Sequence, residues 1–180
     1  MRTLILDASA GIKLLLKEPG REQVSALIRE RSPKVTVPWL FWLEIVNSLT
    51  RRHRRDGRYV LEAVFTLEQS GLMTVHPGRA DLLSVIDAVE RHGLSSYDAT
   101  YLALALASDA DLVTADRRLA SAAGERALLI TGDPDATGDH RVQDPEATYS
   151  ARDATWPQWP GAAAYLRDLR RRARSAEQRL

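Results

Sequence analysis

The 180-residue chain contains no cysteine. That excludes a disulfide framework and any thiolate metal site, and nothing in its cysteine usage points to an oxidising compartment. Aromatic residues are scarce, at 6% of the chain. Long apolar runs are missing as well: none approaches the roughly 20 residues of a membrane-spanning helix. No basic segment followed by a long apolar one stands at the N-terminus, so no signal peptide is expected and the cytoplasm is the expected location. His53, His76, His92 and His140 show no ligand spacing. With cysteine absent too, that disfavours zinc. Lysine occurs only at 13, 17 and 34, so nearly all positive charge is arginine.

What is present amounts to one domain with an appendage. A chain of this length buries roughly 70% of its unfolded surface, enough for a self-sufficient core. The net charge of +1 hides an asymmetry. Residues 151–180 carry seven Arg against Asp153, Asp168 and Glu177, a net +4 that leaves −3 on residues 1–150. A basic tail can touch nucleic acid, and an acidic body can hold a cation.

The first strand organises the rest. Leu4-Ile5-Leu6 runs unbroken into Asp7. A continuous apolar run reads as a strand buried on both faces, as in a parallel sheet. Helical spacing follows over 9–17 and 21–31, then a short β-branched strand at 35–37 with Pro38 opening the next helix. Residues 39–54 read as one strong helix ending in Arg51, Arg52, Arg54 and Arg55, where cations complement the dipole. Helices follow at 58–69, 80–92, 97–108 and 117–123, strands at 72–75, 111–114 and 127–130. Gly93 is a natural helix stop. The 97–108 helix is apolar on nearly every side and so expected to be central. This alternation predicts an α/β fold with a mostly parallel sheet and helices on both faces. From 131 to 161 Gly, Pro, Asp and Thr dominate, and 162–180 returns to a basic, helix-compatible composition.

Four acids stand out: Asp7, Glu44, Asp98 and Asp116. Asp7 ends the first strand, Asp116 follows the 111–114 strand, and Asp98 opens the 97–108 helix. Parallel strands present their C-terminal ends on one edge, where open α/β sheets bind ligands. Each aspartate also has a purely structural reading. Asp7 and Asp116 fit as helix N-caps, and Asp98 fits as the acidic partner of Ser95 in a capping box. Glu44 lies inside an apolar helix, where a buried carboxylate needs a partner or a metal. Asn47, one turn on, is placed to hold it. Clustered carboxylates repel one another, and a hard divalent cation such as Mg2+ removes that penalty. Such a site suits phosphodiester hydrolysis.

Leu6-Asp7-Ala8-Ser9, the Pro38–Asn47 run with Glu44, Ser96-Tyr97-Asp98-Ala99 and Val113-Thr114-Ala115-Asp116-Arg117-Arg118-Leu119 together resemble a PIN domain, and within it the VapC ribonuclease toxins of bacterial toxin–antitoxin pairs. The resemblance covers about residues 1–130. It implies a PIN-like (Rossmann-like) fold with about five parallel strands, and an endoribonuclease that depends on Mg2+ or Mn2+. It also implies an RNA substrate, a cognate antitoxin and often a homodimer. Asp7 and Asp98 would then bind metal most directly, and Glu44 would bind it or act on the attacking water. Asp116 would serve a second metal or the outer shell, and Ser9 and Thr114 would position water or phosphate. Residues 131–180 extend beyond the pattern as an appendage of unassigned role.

Other signals are weaker. Asp133, Asp135, Thr137 and Asp144 mimic a calcium loop but read better as an acidic surface loop. Trp39, Phe41 and Trp42 can stack bases or pack the core. The Arg51–Arg55 cluster fits either RNA phosphates or a solvated helix end. Two competing functions stand beside the nuclease. One is a degenerate PIN-like module that binds RNA or protein, which the intact acids argue against. The other is a phosphatase with Asp7 as nucleophile, which would want a second acid where Ser9 stands.

Overall fold

A computed structural model of the chain describes residues 3–31 and 35–131. The irregular stretch beyond Thr131, the calcium-like loop and the basic C-terminal segment fall outside those residues. The strands are β1 (Leu4–Leu6), β2 (Val35–Pro38), β3 (Met73–Val75), β4 (Asp111–Thr114) and β5 (Ala127–Leu129). All pair in parallel, in the order β3-β2-β1-β4-β5. The run Leu4-Ile5-Leu6 forms the central strand, and all three side chains are fully buried. Leu4 pairs with Val35 on one side and Asp111 on the other.

The helices are α1 (Ala8–Leu16), α2 (Arg21–Arg31), α3 (Leu40–Asn47), α4 (Gly57–Gln69), α5 (Arg79–His92), α6 (Ser96–Ala107) and α7 (Arg117–Ala123). They pack against one another in two sets, α1 to α4 and α5 to α7. Right-handed crossovers on a sheet of this order put those sets on opposite faces. α6 is central as expected, with Tyr101 and Leu102 buried and contacts to β1, β2 and β4. No helix among the described residues is long and apolar enough to cross a membrane.

Two local expectations are corrected. Pro38 closes β2, in register with Val75, rather than opening the next helix. A strand end tolerates a residue without an N–H. The helix expected over 39–54 is α-helical only from Leu40 to Asn47, then widens into a π-helical turn at Ser48–Arg52. Arg55 N bonds Leu49 O at 2.9 Å as the chain leaves it. Gly93 ends α5 as expected, in the left-handed region at φ 61° with its N–H on Val89 O.

Gly11 explains a close approach. A Cβ there would stand 2.9 Å from the Phe41 ring and 3.2 Å from Ile45 Cδ1. The missing side chain lets α1 and α3 cross tightly. Those two helices carry Asp7 at the entrance of one and Glu44 within the other.

Candidate active site

The C-terminal edge of the sheet gathers the four acids. Asp7 leaves β1 with its amide bonded to Val113 O of β4 at 3.0 Å. It occupies the N-cap position of α1 but makes no capping bond with its side chain. Instead Oδ2 accepts two hydroxyl bonds, from Thr114 Oγ1 at 2.8 Å and from Ser9 Oγ. Each hydroxyl oxygen in turn accepts a backbone amide. Asp116 N donates to Thr114 Oγ1 at 2.9 Å, and Ala115 N donates to Ser9 Oγ at 2.8 Å. Amides pointing into both oxygens turn both hydroxyl protons toward Asp7. The sequence thus builds an acceptor seat for an ionised carboxylate in the sheet crevice.

That seat opposes a large cost. Asp7 is only 5% exposed, and burial raises its pKa from 3.8 to about 6, with the Asp98 charge adding to the rise. The hydroxyl bonds pull the other way. Glu44 is half-buried, and burial raises its pKa from 4.5 to about 7, helped by the charges of Asp7 and Asp98. Its Oε2 accepts from Tyr101 OH at 2.5 Å. This bond joins α3 to α6, one helix from each packed set. The phenol's own pKa moves up with burial and with the facing carboxylates, so it stays a donor.

Asp98 sits in the first turn of α6. Ser95 Oγ accepts from Asp98 N at 3.1 Å and donates to Asp98 Oδ2 at 2.8 Å, so the expected capping partnership is present. Burial and then the Asp116 charge raise the Asp98 pKa, while Arg118 lowers it. Asp116 is a true cap: Oδ1 accepts from Arg118 N at 2.7 Å and Leu119 N at 2.9 Å. In each of the four acids these bonds run to a single carboxylate oxygen.

The structure therefore brings Asp7, Ser9 and Thr114 into direct contact, couples Glu44 and Asp98 to Asp7 through charge, and links Asp116 through its amide on Thr114 and its charge on Asp98. It does not bring Asn47 to Glu44. Asn47 is exposed in the last turn of α3, and Tyr101 bonds the carboxylate instead. Sequence reasoning missed Tyr101. Its signal was the spacing of one helical turn from Asp98 on a helix read as central. Arg118 was also missed as a structural tie: its guanidinium holds Gly93 O at 2.9 Å. Phe41 and Trp42 belong to the core, whereas Trp39 is exposed. The arginines at 51–55 follow Glu44 by seven residues or more, about 10 Å or more along the helix and away from this edge. Arg55 lies over the Tyr59 ring, 4.9 Å from its centroid.

A family model of the PIN domain matches residues 4–125. The chain belongs to the PIN-domain family. Ribonuclease VapC9 of Mycobacterium tuberculosis is 32% identical to it over 130 residues, which span 71% of this chain and 96% of that protein. Among solved structures, a toxin–antitoxin complex from Klebsiella pneumoniae aligns with a TM-score of 0.55 at 15% identity, covering 72% of this chain and 98% of that one. Mycobacterium tuberculosis VapC20, a sarcin–ricin loop cleaving toxin, aligns with a TM-score of 0.55 at 18% identity, covering 66% and 94%. These likenesses establish the PIN fold. The carboxylate edge described above is thus the C-terminal edge of a PIN-domain sheet.

Proposed function

We propose that this PIN domain is a divalent-metal-dependent endoribonuclease, the toxin of a toxin–antitoxin pair acting in the cytoplasm. The observation that carries the reading is the seat of Asp7, a buried carboxylate held as an acceptor by two hydroxyls while Asp98 presses its charge on it and Asp7 in turn presses on Glu44. Its 32% identity to a VapC ribonuclease supports the same reading. Among the described residues no three His, Asp or Glu side chains form a ready-made metal cage. Mg2+ does not require one, since it is held by one or two carboxylates together with waters and phosphate oxygens. An all-oxygen donor set fits Mg2+ or Mn2+ rather than zinc.

Asp7 and Asp98 would hold the cation, through oxygens beyond those engaged by Thr114, Ser9 and Ser95. When bound, it neutralises the clustered charge and activates water for attack on phosphorus. Glu44, tied to Tyr101 beside Asp7 and Asp98, would take the proton of the attacking water. The P–O bond to the leaving sugar oxygen then breaks, and that oxygen takes its proton from solvent water. Ser9 and Thr114 keep Asp7 oriented, and Asp116 lies one bond further out, its N–H on Thr114. The partners in this reading are RNA, a cognate antitoxin and a second copy of the chain. Leu82, Leu83 and Ile86, exposed together on α5, offer apolar surface for association. In this reading the nuclease domain is residues 1–130, and residues 131–180 extend the sequence beyond it with no role assigned.

The test is cleavage of total cellular RNA with Mg2+ or Mn2+ by the wild type and by Asp98→Asn side by side. Discrete fragments from the wild type alone are expected, and their new ends identify the target. Equal cutting by both proteins would refute the site.

A further inference from the structure

We propose that the stacked rings of Trp39 and His76 form a platform for an unpaired nucleobase of the RNA beside the scissile phosphate. The proposal rests on the ribonuclease reading above. Trp39 follows β2 and His76 follows β3. Their strand ends are in register at Pro38 and Val75, and Trp39 N bonds Val75 O at 2.9 Å. Both rings therefore stand on the sheet edge that carries Asp7. Adjacent strands lie about 4.8 Å apart, so the ends of β2 and β3 are roughly 5–10 Å from the end of β1.

The two rings stack with centroids 5.5 Å apart and planes inclined by 22°. Trp39 is 49% exposed and His76 is exposed. Phe41 and Trp42 of α3 are buried in the core, whereas about half of Trp39 stays exposed. A cleft of about 90 Å3 opens beside His76, lined also by Pro38, Val75, Asp81, Thr100 and Leu104. It reaches α6 two residues beyond Asp98, where Thr100 Oγ1 donates to Ser96 O at 2.8 Å and Asp81 Oδ2 accepts from Gly78 N at 2.6 Å, so both keep only acceptor capacity for the donor groups of a base edge. Arg79, exposed three residues after His76, supplies a cation for a backbone phosphate. Single-stranded RNA is recognised by stacking unpaired bases on such exposed rings, with little dependence on sequence because every base has a π-face.

The experiment measures binding by fluorescence anisotropy in the Asp98→Asn background with Mg2+, where the RNA stays intact. The probes are a fluorescein-labelled unstructured RNA of mixed sequence and the same chain with abasic sugars. Adding Trp39→Ala is expected to weaken the RNA about tenfold while leaving the abasic chain nearly unchanged, and Trp39→Tyr is expected to restore most of the loss. Circular dichroism melts check that each variant folds. Equal RNA affinity with and without Trp39 would overturn the platform, as would an equal loss on both probes. Unchanged RNA binding with loss of self-association in sedimentation would assign the rings to an interface between copies and also overturn it. If the Asp98→Asn parent binds neither probe and the wild type cuts no RNA, the ribonuclease reading falls and the platform with it.

Discussion

Asp7 and Asp116 occupy the same local setting, each between the end of a parallel strand and the start of a helix, yet they do different things. Asp116 spends its carboxylate on two backbone amides of α7. Asp7 makes no such cap and instead meets two hydroxyls, deep enough for burial to raise its pKa to about 6. The cap is partly exposed beyond the end of β4, while Asp7 stands buried at the end of the central strand with Thr114 of β4 beside it. A capping carboxylate is satisfied by the fold. A buried one whose neighbours are also acidic gains most from a cation. A strand–Asp–helix pattern therefore does not fix the role of its aspartate; depth and neighbours do.

The strongest way to break this contrast is Asp7→Asn. Loss of cleavage is expected to exceed the roughly 100-fold that removal of an outer-shell partner costs, and the metal-free melting temperature is expected to stay level or rise. Activity assays paired with melts in EDTA check both halves. Thr114→Val comes next. It takes one donor from Asp7 and the acceptor from the Asp116 amide, so activity is expected to fall about 10- to 100-fold and stability by about 1–3 kcal/mol. Denaturant unfolding gives the second number.

The pH dependence of metal-free stability sharpens the same contrast. In the folded state Asp7 and Glu44 hold protons that the unfolded chain releases between about pH 4 and pH 7. The unfolded state binds fewer protons there, so stability falls as pH rises through that window. For Asp7 alone the loss is on the order of 2–3 kcal/mol. Melts in EDTA from pH 5 to pH 8 are expected to decline, and to decline less in Asp7→Asn or with Mg2+ present. The smallest effect is expected from Asp116→Asn, since Asn caps about as well as Asp. Its stability is expected to stay within about 0.5 kcal/mol of wild type, with a smaller loss of activity than Asp7→Asn; melting and single-turnover cleavage decide it.

Much of the molecule was legible in the chain because its signals are local. The apolar run at Leu4–Leu6, the stop at Gly93 and the apolar α6 each declare themselves within a few residues, and so do Asp7, Glu44, Asp98 and Asp116. The partner of Glu44 was not legible. Asn47 is its neighbour by helical spacing, but Tyr101 reaches it from 57 residues away because α3 and α6 meet at the sheet edge. Gly11 was equally silent, since its reason is the Phe41 ring on another helix.

Short stretches were enough to read the order of strands and helices, the mostly parallel sheet and the three aspartates at its edge, Asp7, Asp98 and Asp116, because periodicity and strand-end position are local properties. The tertiary structure alone decided which acids are caps and which are buried, that Ser9 and Thr114 aim their protons at Asp7, and that Trp39 lies outside the core against His76. Burial and hydrogen-bond direction depend on what distant segments bring to the same place, and no local pattern encodes that.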